Sequence, residues 1–222
     1  MHVEELLAIP QAREVLGGHY RRGVAAAVEG YQHSRADEDS VTGALGQALL
    51  GRGAFQVPDG RVVTWNTSYT RFGSSKDGAE PRYGADGIFE IQLTDDDGIT
   101  TRKSLLFQAK KEAYTYGDAR LRRQARQIAS VPGGGVVIDY QPGKFVAMDA
   151  GAVARNDERR AERDLAELLA EEFVACTRGS SAYSFDPEAE TISVFTVNGR
   201  LIVRRLPIGH RIRTTVRTFQ LG

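Results

Sequence analysis

The chain has 222 residues, 41% hydrophobic and 26% charged, which is enough for a sizeable core and ordinary for a globular protein. That composition excludes wholesale disorder and a collagen-like chain, and no apolar run approaches the ~18 residues of a membrane-spanning helix. Lys+Arg and Asp+Glu balance at 29 each, so bulk charge points to no polyanion partner, and the single cysteine excludes an intramolecular disulfide or a cysteine-based zinc site.

The first five residues, Met1-His2-Val3-Glu4-Glu5, carry acids where a signal peptide would carry a basic segment, so the expectation is a cytoplasmic protein. The first fifty residues read as helical. Tyr20, Val24, Ala27 and Tyr31 recur at helical spacing, as do Val41, Leu45, Ala48 and Leu49, with Pro10 and Gly17-Gly18 as punctuation. A strand is expected at 61–70 (RVVTWNTSYT), rich in β-branched and aromatic residues, followed by an exposed glycine- and charge-rich loop at 73–83. Two β-rich runs, 86–93 (DGIFEIQL) and 103–111 (KSLLFQAKK), flank an Asp-Gly turn signal and predict a hairpin.

Residues 118–130 predict an amphipathic helix with Leu121, Ala125 and Ile128 on its apolar stripe. The glycines at 133–135 lead into strand-like runs at 136–140 and 145–148. A long helix is expected at 157–176, with Asp157 and Glu158 in its first turn and Cys176 buried at its end. Runs at 191–197 and 200–205, joined at Asn198-Gly199, predict a further β pair. The reading is one α/β (α+β) domain over 1–222, with a core at 34–148, N-terminal helices at 1–33 and a C-terminal helix and β tail at 157–222.

Charge is distributed unevenly within this neutral chain. Between 102 and 128 stand eight basic residues, including Lys111, Arg122, Arg123 and Arg126, against Glu112 and Asp118. The tail from Asn198 holds Arg200, Arg204, Arg205, Arg211, Arg213 and Arg217 with no acid, while 149–172 compensates with eight acids against four arginines. A basic surface is therefore expected locally. On the 118–130 helix, Arg122, Arg123 and Arg126 fall on the face opposite the apolar stripe, where they would contact phosphates or simply meet water. The basic tail is a second such surface, or a charged strand pair.

Common catalytic signatures are missing. There is no GxxxxGK(S/T) phosphate loop, and Gly133-Gly134-Gly135 precedes a strand instead of following one. No GxSxG elbow occurs, and the four histidines (His2, His19, His33, His210) form no metal-binding pair. What remains is Asp86, a hairpin, and then Gln108-Ala109-Lys110. Strand alternation places Asp86, Ile88 and Glu90 on one face, and Gln108 with Lys110 on one face of the next strand. An acid, an amide oxygen and an ammonium then converge at one end of two strands. Mg²⁺ takes such hard oxygen ligands and keeps several waters. Asp86, the Gln108 side chain and the Ala109 carbonyl would ligate it, while Lys110 orients or deprotonates a water or offsets phosphate charge. Glu38 shares a helical stripe with Val41, Leu45 and Leu49, where a carboxylate is costly unless paired or bound to metal. It is either a further ligand or a first-turn acid complementing the helix dipole.

This arrangement resembles the PD-(D/E)XK nuclease superfamily, in its Mrr-like restriction and anti-phage effector branch with Gln in place of the central acid. The matching elements are Glu38 on a helix, Asp86 in Tyr83-Gly84-Ala85-Asp86, Phe107-Gln108-Ala109-Lys110, and the helix and strand that follow, covering roughly 34–148. Ala85 stands where the pattern has Pro. The resemblance implies a restriction-endonuclease-like core and a Mg²⁺-dependent DNA endonuclease, with Mn²⁺ as a substitute, acting in restriction or antiviral defence. Its catalytic residues would be Asp86, Gln108, Lys110 and Glu38, and its metal ligands Asp86, Gln108, Ala109 and Glu38. Arg122, Arg123, Arg126 and Lys111 would contact DNA, duplex in preference to single-stranded, and Glu90 and Gln124 would stand behind the site. A homo-oligomer and a sensor domain or partner protein are compatible with this reading, and a membrane is not. The rival readings are a non-catalytic nucleic-acid-binding or assembly module on the same fold, and an RNase.

Overall fold

The computed structural model describes residues 1–72, 85–111, 118–157, 161–186, 188, 191–195, 201–205 and 208–219. The expected loop at 73–83, Gly84, Tyr114 and Tyr116, Glu158, and the Asn198-Gly199 turn lie outside them. The fold is of the α/β (α+β) class, a large mixed sheet with helices against it.

The chain opens with helices α1 (Val3–Ala8), α2 (Pro10–Glu29), α3 (Tyr31–Ser34) and α4 (Glu38–Ala48). Pro10 occupies the first turn of α2, where its missing N–H costs nothing. The helix runs straight through Gly17-Gly18, contrary to the expected break. A Cβ at Gly17 would stand 3.4 Å from the Cβ of Ala170, so the glycine serves a close helix approach. Asp37 caps α4 by accepting from the Ser40 N–H at 2.7 Å.

Eight strands follow in the order β1-β2-β11-β3-β4-β5-β6-β7. These are β1 (Gly51–Gln56), β2 (Val62–Arg71), β3 (Gly87–Thr94), β4 (Thr100–Lys111), β5 (Gly135–Gln141), β6 (Lys144–Asp149), β7 (Glu162–Asp164) and β11 (His210–Phe219). The β3–β4 hairpin forms as the sequence predicts. Gly98 takes φ +76° in its turn, and the Asp95 carboxylate accepts from the N–H groups of Asp97 and Ile99 while it pairs with the N-terminus at 2.7 Å. β4 and β5 are parallel and are linked by α5 (Ala119–Ala129), capped by Asp118.

β11 has no counterpart among the expected elements. The last described strand inserts between β2 and β3 in the middle of the sheet, antiparallel to one and parallel to the other. Its inward positions, Ile212, Thr214, Val216 and Thr218, are buried, while arginines and Thr215 alternate with them. β8 (Tyr183–Asp186), β9 (Thr191–Phe195) and β10 (Leu201–Arg205) form a separate three-stranded antiparallel sheet, so the expected β pair is present. Ser104 and Ser180 join this sheet's approach segment to β4 through two backbone bonds of 3.0 and 2.9 Å.

The long helix expected at 157–176 is shorter and later. Glu162–Asp164 is an edge strand, and the helix begins at Leu165 (α7, Leu165–Glu167) and continues as a π-helical turn, Leu168–Phe173. Asp164 starts it by accepting from the Ala166 and Glu167 N–H groups. Cys176 ends it by adopting a left-handed φ of +65°, and its thiol is half-buried, not buried as expected.

Two hydrophobic cores lie on opposite faces of the large sheet. One holds α1–α4 and the 165–174 helix against Phe89, Ile91, Leu105, Phe107, Ile138, Tyr140, Ile212 and Val216. The other holds α5, α6 (Ala150–Ala154) and Tyr183, Phe185 and Ile192 of the small sheet against Ile88, Leu106 and Val137. No helix among the described residues is long and apolar enough to cross a membrane.

Candidate active site

The end of the β3–β4 pair where β3 begins carries the candidate chemistry. Asp86 immediately precedes β3, and its N–H donates to the Phe107 carbonyl at 2.9 Å. Gly87 pairs with Phe107, and a Cβ at Gly87 would strike the Phe107 ring. That glycine therefore lets the two strands close beside Asp86. Beyond this point β3 offers no backbone to Ala109, and the Asp86 carboxylate takes over: its Oδ2 accepts the Ala109 N–H at 2.8 Å. The same oxygen accepts Nε2 of Gln108. Gln108 is buried, and its Oε1 has no hydrogen-bond partner among the described residues.

Lys110, two residues on, donates to Oε2 of Glu38 at 3.1 Å. The Glu38 side chain is 40% exposed, so the helix carboxylate sits at the rim of the site while Val41, Leu45 and Leu49 of its stripe are buried. Asp86 is the inner acid. Its carboxyl is pushed up to about 6, mainly by burial and further by the Glu38 charge, against the pull of the Ala109 N–H, Lys110 and Gln108. The five residues read from the sequence as one constellation are thus brought together: Asp86 with Gln108 and Ala109, and Lys110 with Glu38.

The remaining candidates are placed differently. Glu90 is fully buried and is bound by Arg211 of β11, with Arg213 at 4.0 Å. Its partner is thus an arginine of the tail and no member of the Asp86 cluster. Lys111 donates to the carbonyls of Arg35 and Ala36, which ties β4 to the approach of α4. On α5, Leu121, Ala125 and Ile128 are buried and Arg123 and Arg126 are exposed, as the stripe predicts, whereas Arg122 is half-buried at the edge of the stripe. Gln124 lies on the half-buried edge, with its Oε1 buried and without a partner among the described residues.

Sequence reading missed a second polar cluster beside the first. Asp39, next to Glu38 in α4, accepts or shares a proton with Nε2 of His210 at 2.6 Å and binds Arg71. The other ring nitrogen of His210 meets the Tyr69 hydroxyl at 2.8 Å. Burial lowers the His210 pKa, while Asp39 opposes that shift. The backbone N–H groups of Gly209 and His210 both donate to the Asp86 carbonyl at 3.0 Å, so the tail strand anchors the residue that carries the inner carboxylate. Nothing in the sequence ties residue 210 to residue 39 or 86. Only the insertion of β11 beside β3 does.

Comparisons with protein-family models, with curated proteins and with solved structures found no match for this chain.

The donor set suits a hard divalent cation on three counts. The Gln108 Oε1 is a buried acceptor lacking a donor, Asp86 carries a charge that burial disfavours, and Glu38 is near enough to raise the Asp86 pKa. A cation would relieve each of these. Among the described residues no three His, Cys, Asp or Glu side chains cluster as a metal site. A cation here would rest on two carboxylates, an amide oxygen and a backbone carbonyl, with water completing its shell.

Proposed function

We propose that this chain is a metal-dependent nuclease that hydrolyses phosphodiester bonds in duplex DNA. The observation that carries the reading is the convergence of Asp86, Gln108, Ala109, Lys110 and Glu38 at one end of the β3–β4 pair. The order of elements around them supports it: a helix bearing Glu38, a strand entered at Asp86, a strand bearing Lys110, a basic helix, then a strand parallel to β4.

Mg²⁺ or Mn²⁺, held by Asp86, Glu38, the Gln108 Oε1 and the Ala109 carbonyl, would supply Lewis-acid stabilisation of charge on the phosphate. The chain's own residues do the rest. Asp86 must be ionised to serve as a ligand, and its raised pKa of about 6 makes the proton compete with the cation for the carboxylate as pH falls toward that value. Gln108 fixes the Asp86 carboxylate through Nε2 and keeps its oxygen for the ligand side. Lys110, once exchanged from Glu38 to the substrate, holds an attacking water or a phosphate oxygen. Arg123 and Arg126 on the exposed face of α5 contact phosphates without reading bases.

One observation favours a second reading, a non-catalytic nucleic-acid-binding or assembly module. The Asp86 carboxylate already completes the backbone bonding of Ala109, which is a structural task sufficient to explain its position. Cleavage of supercoiled plasmid with Mg²⁺ or Mn²⁺, against an EDTA control, separates the two. Metal-dependent nicking or linearisation supports the nuclease, and intact plasmid with retained DNA binding supports the module.

A further inference from the structure

The half of the large sheet formed by β1, β2 and β11 has two unlike faces. Its inner face contributes Val63, Trp65, Ile212 and Val216 to the helical core. Its outer face contributes no strand residue to the second core. What stands there instead is set by the register. Arg52 pairs with Asn66, Asn66 with Thr215, Thr215 with Gln92, and Gln92 with Arg102. Directly paired residues share a face, so these five form one row across β1, β2, β11, β3 and β4. Arg217 and Arg213 stand one row above and one row below it, four residues and therefore ~13 Å apart along β11.

Four arginines on these three rows face one carboxylate, Glu90, which is buried and already bound by Arg211. Arg52 and Arg217 are exposed, and Arg102 and Arg213 are half-buried. Among the described residues, Arg52, Arg102 and Arg217 have no carboxylate partner. Burial lowers the pKa of Arg213, and the like charges of Arg211 and Arg102 beside it lower it further against the pull of Glu90. Acids stand at the rim of this face: in the β3–β4 turn Asp95 pairs with the N-terminus and Asp96 with Thr218, and Glu4, which accepts from the Ser181 hydroxyl, lines the same pocket as Arg102. Beside the edge of the second core, the sheet face thus gathers guanidinium groups of which Arg52, Arg102 and Arg217 have no carboxylate partner among the described residues. Interleaved with amide and hydroxyl side chains, such a face is complementary to a chain of phosphates.

We propose that this outer face of β1-β2-β11-β3-β4 binds the phosphate backbone of nucleic acid, as a surface separate from α5. The choice of nucleic acid as the polyanion rests on the nuclease reading, whereas the residues do not belong to the cleavage site. Arg52 and Arg217 are the test positions, because both are exposed and neither holds an ion pair among the described residues.

The experiment is fluorescence anisotropy of a labelled 20-bp duplex of mixed sequence, titrated with wild type and with the Arg52→Ala/Arg217→Ala double variant in EDTA at several salt concentrations. A phosphate contact contributes a slope of about 0.9 in log K against log salt, so two contacts remove roughly 1.8. At 0.1 M salt each lost contact corresponds to a loss of affinity on the order of tenfold. The Arg52→Lys/Arg217→Lys variant is expected to restore most of the binding, since a phosphate contact needs the charge more than the fork. An unchanged affinity and slope in the Ala variant overturns the proposal. So does loss of binding to vesicles containing phosphatidylserine while duplex binding persists, which would assign the face to a membrane. Plasmid cleavage distinguishes this failure from that of the nuclease reading: a protein that cuts in Mg²⁺ but keeps its salt slope loses only the surface. One that binds through Arg52 and Arg217 and never cuts loses only the catalysis.

Discussion

Replacing Asp86 by Asn should stabilise the protein at neutral pH while removing the charge on which the site depends. Both donors to the carboxylate, the Ala109 N–H and the Gln108 Nε2, converge on Oδ2, so an asparagine that places its amide oxygen there keeps both hydrogen bonds. What it loses is the buried negative charge. Moving a carboxyl from its ordinary 3.8 to about 6 costs the ionised folded protein on the order of 3 kcal/mol. That shift already sets the two hydrogen bonds to the charged form against its burial, so an asparagine equivalent to the protonated acid is expected to gain about 2–3 kcal/mol at neutral pH. Because the folded-state pKa is raised, the native protein binds more protons than the unfolded chain between about pH 4 and pH 6. Wild-type stability therefore falls as pH rises through that window, and the Asn variant lacks this component. Urea unfolding of both proteins in EDTA from pH 4 to pH 8 measures the difference. It should be near zero at pH 4, grow to pH 6–7 and level off. A difference that does not change with pH, or an Asn variant that is the less stable at pH 8, would refute the burial argument. Mg²⁺ should then recover stability in wild type at pH 8 and leave the variant unmoved.

Gln108→Glu places a second carboxylate against Asp86 in exchange for a donor, so it should destabilise the protein in EDTA by about 1–3 kcal/mol and recover with Mg²⁺, with cleavage retained at saturating metal. A variant crippled at every Mg²⁺ concentration would assign Gln108 to donation and not to ligation. Glu90→Gln leaves Arg211 buried without its counter-charge and should cost roughly 3–5 kcal/mol by urea unfolding; a loss below 1 kcal/mol would mean that Arg211 finds other solvation.

The legible part of this fold was local. The N-terminal helices, the β3–β4 hairpin and α5 are set by apolar spacing, an Asp-rich turn and an Asp cap, all within short stretches of chain. The candidate cluster was legible for the same reason: Asp86 enters β3 and Gln108 lies on the next strand, so hairpin register and turn length suffice to bring them together. β11 was not legible, because its alternation of arginine and threonine with Ile212 and Val216 reads as a charged tail until β2 and β3 supply the partners on either side. With β11 went everything that depends on it: the pairing of Glu90 with Arg211, the Asp39–His210–Tyr69 cluster and the arginine-bearing outer face. The start of the 165–173 helix was misplaced because acids at 157–158 and at Asp164 offer equivalent caps in sequence, and only pairing with β6 commits 162–164 to a strand.

The central claim is that the Asp86–Gln108–Lys110–Glu38 cluster cuts phosphodiester bonds, and Lys110→Ala tests it most directly. Lys110 pairs with a carboxylate that is 40% exposed, so losing the pair should cost less than ~1 kcal/mol by urea unfolding. In the plasmid assay with Mg²⁺, wild type should convert supercoiled DNA to nicked or linear product, and the Lys110→Ala protein should leave it supercoiled. A folded Lys110→Ala variant that cleaves at the wild-type rate, or a wild type that leaves plasmid intact in both Mg²⁺ and Mn²⁺, would contradict the account.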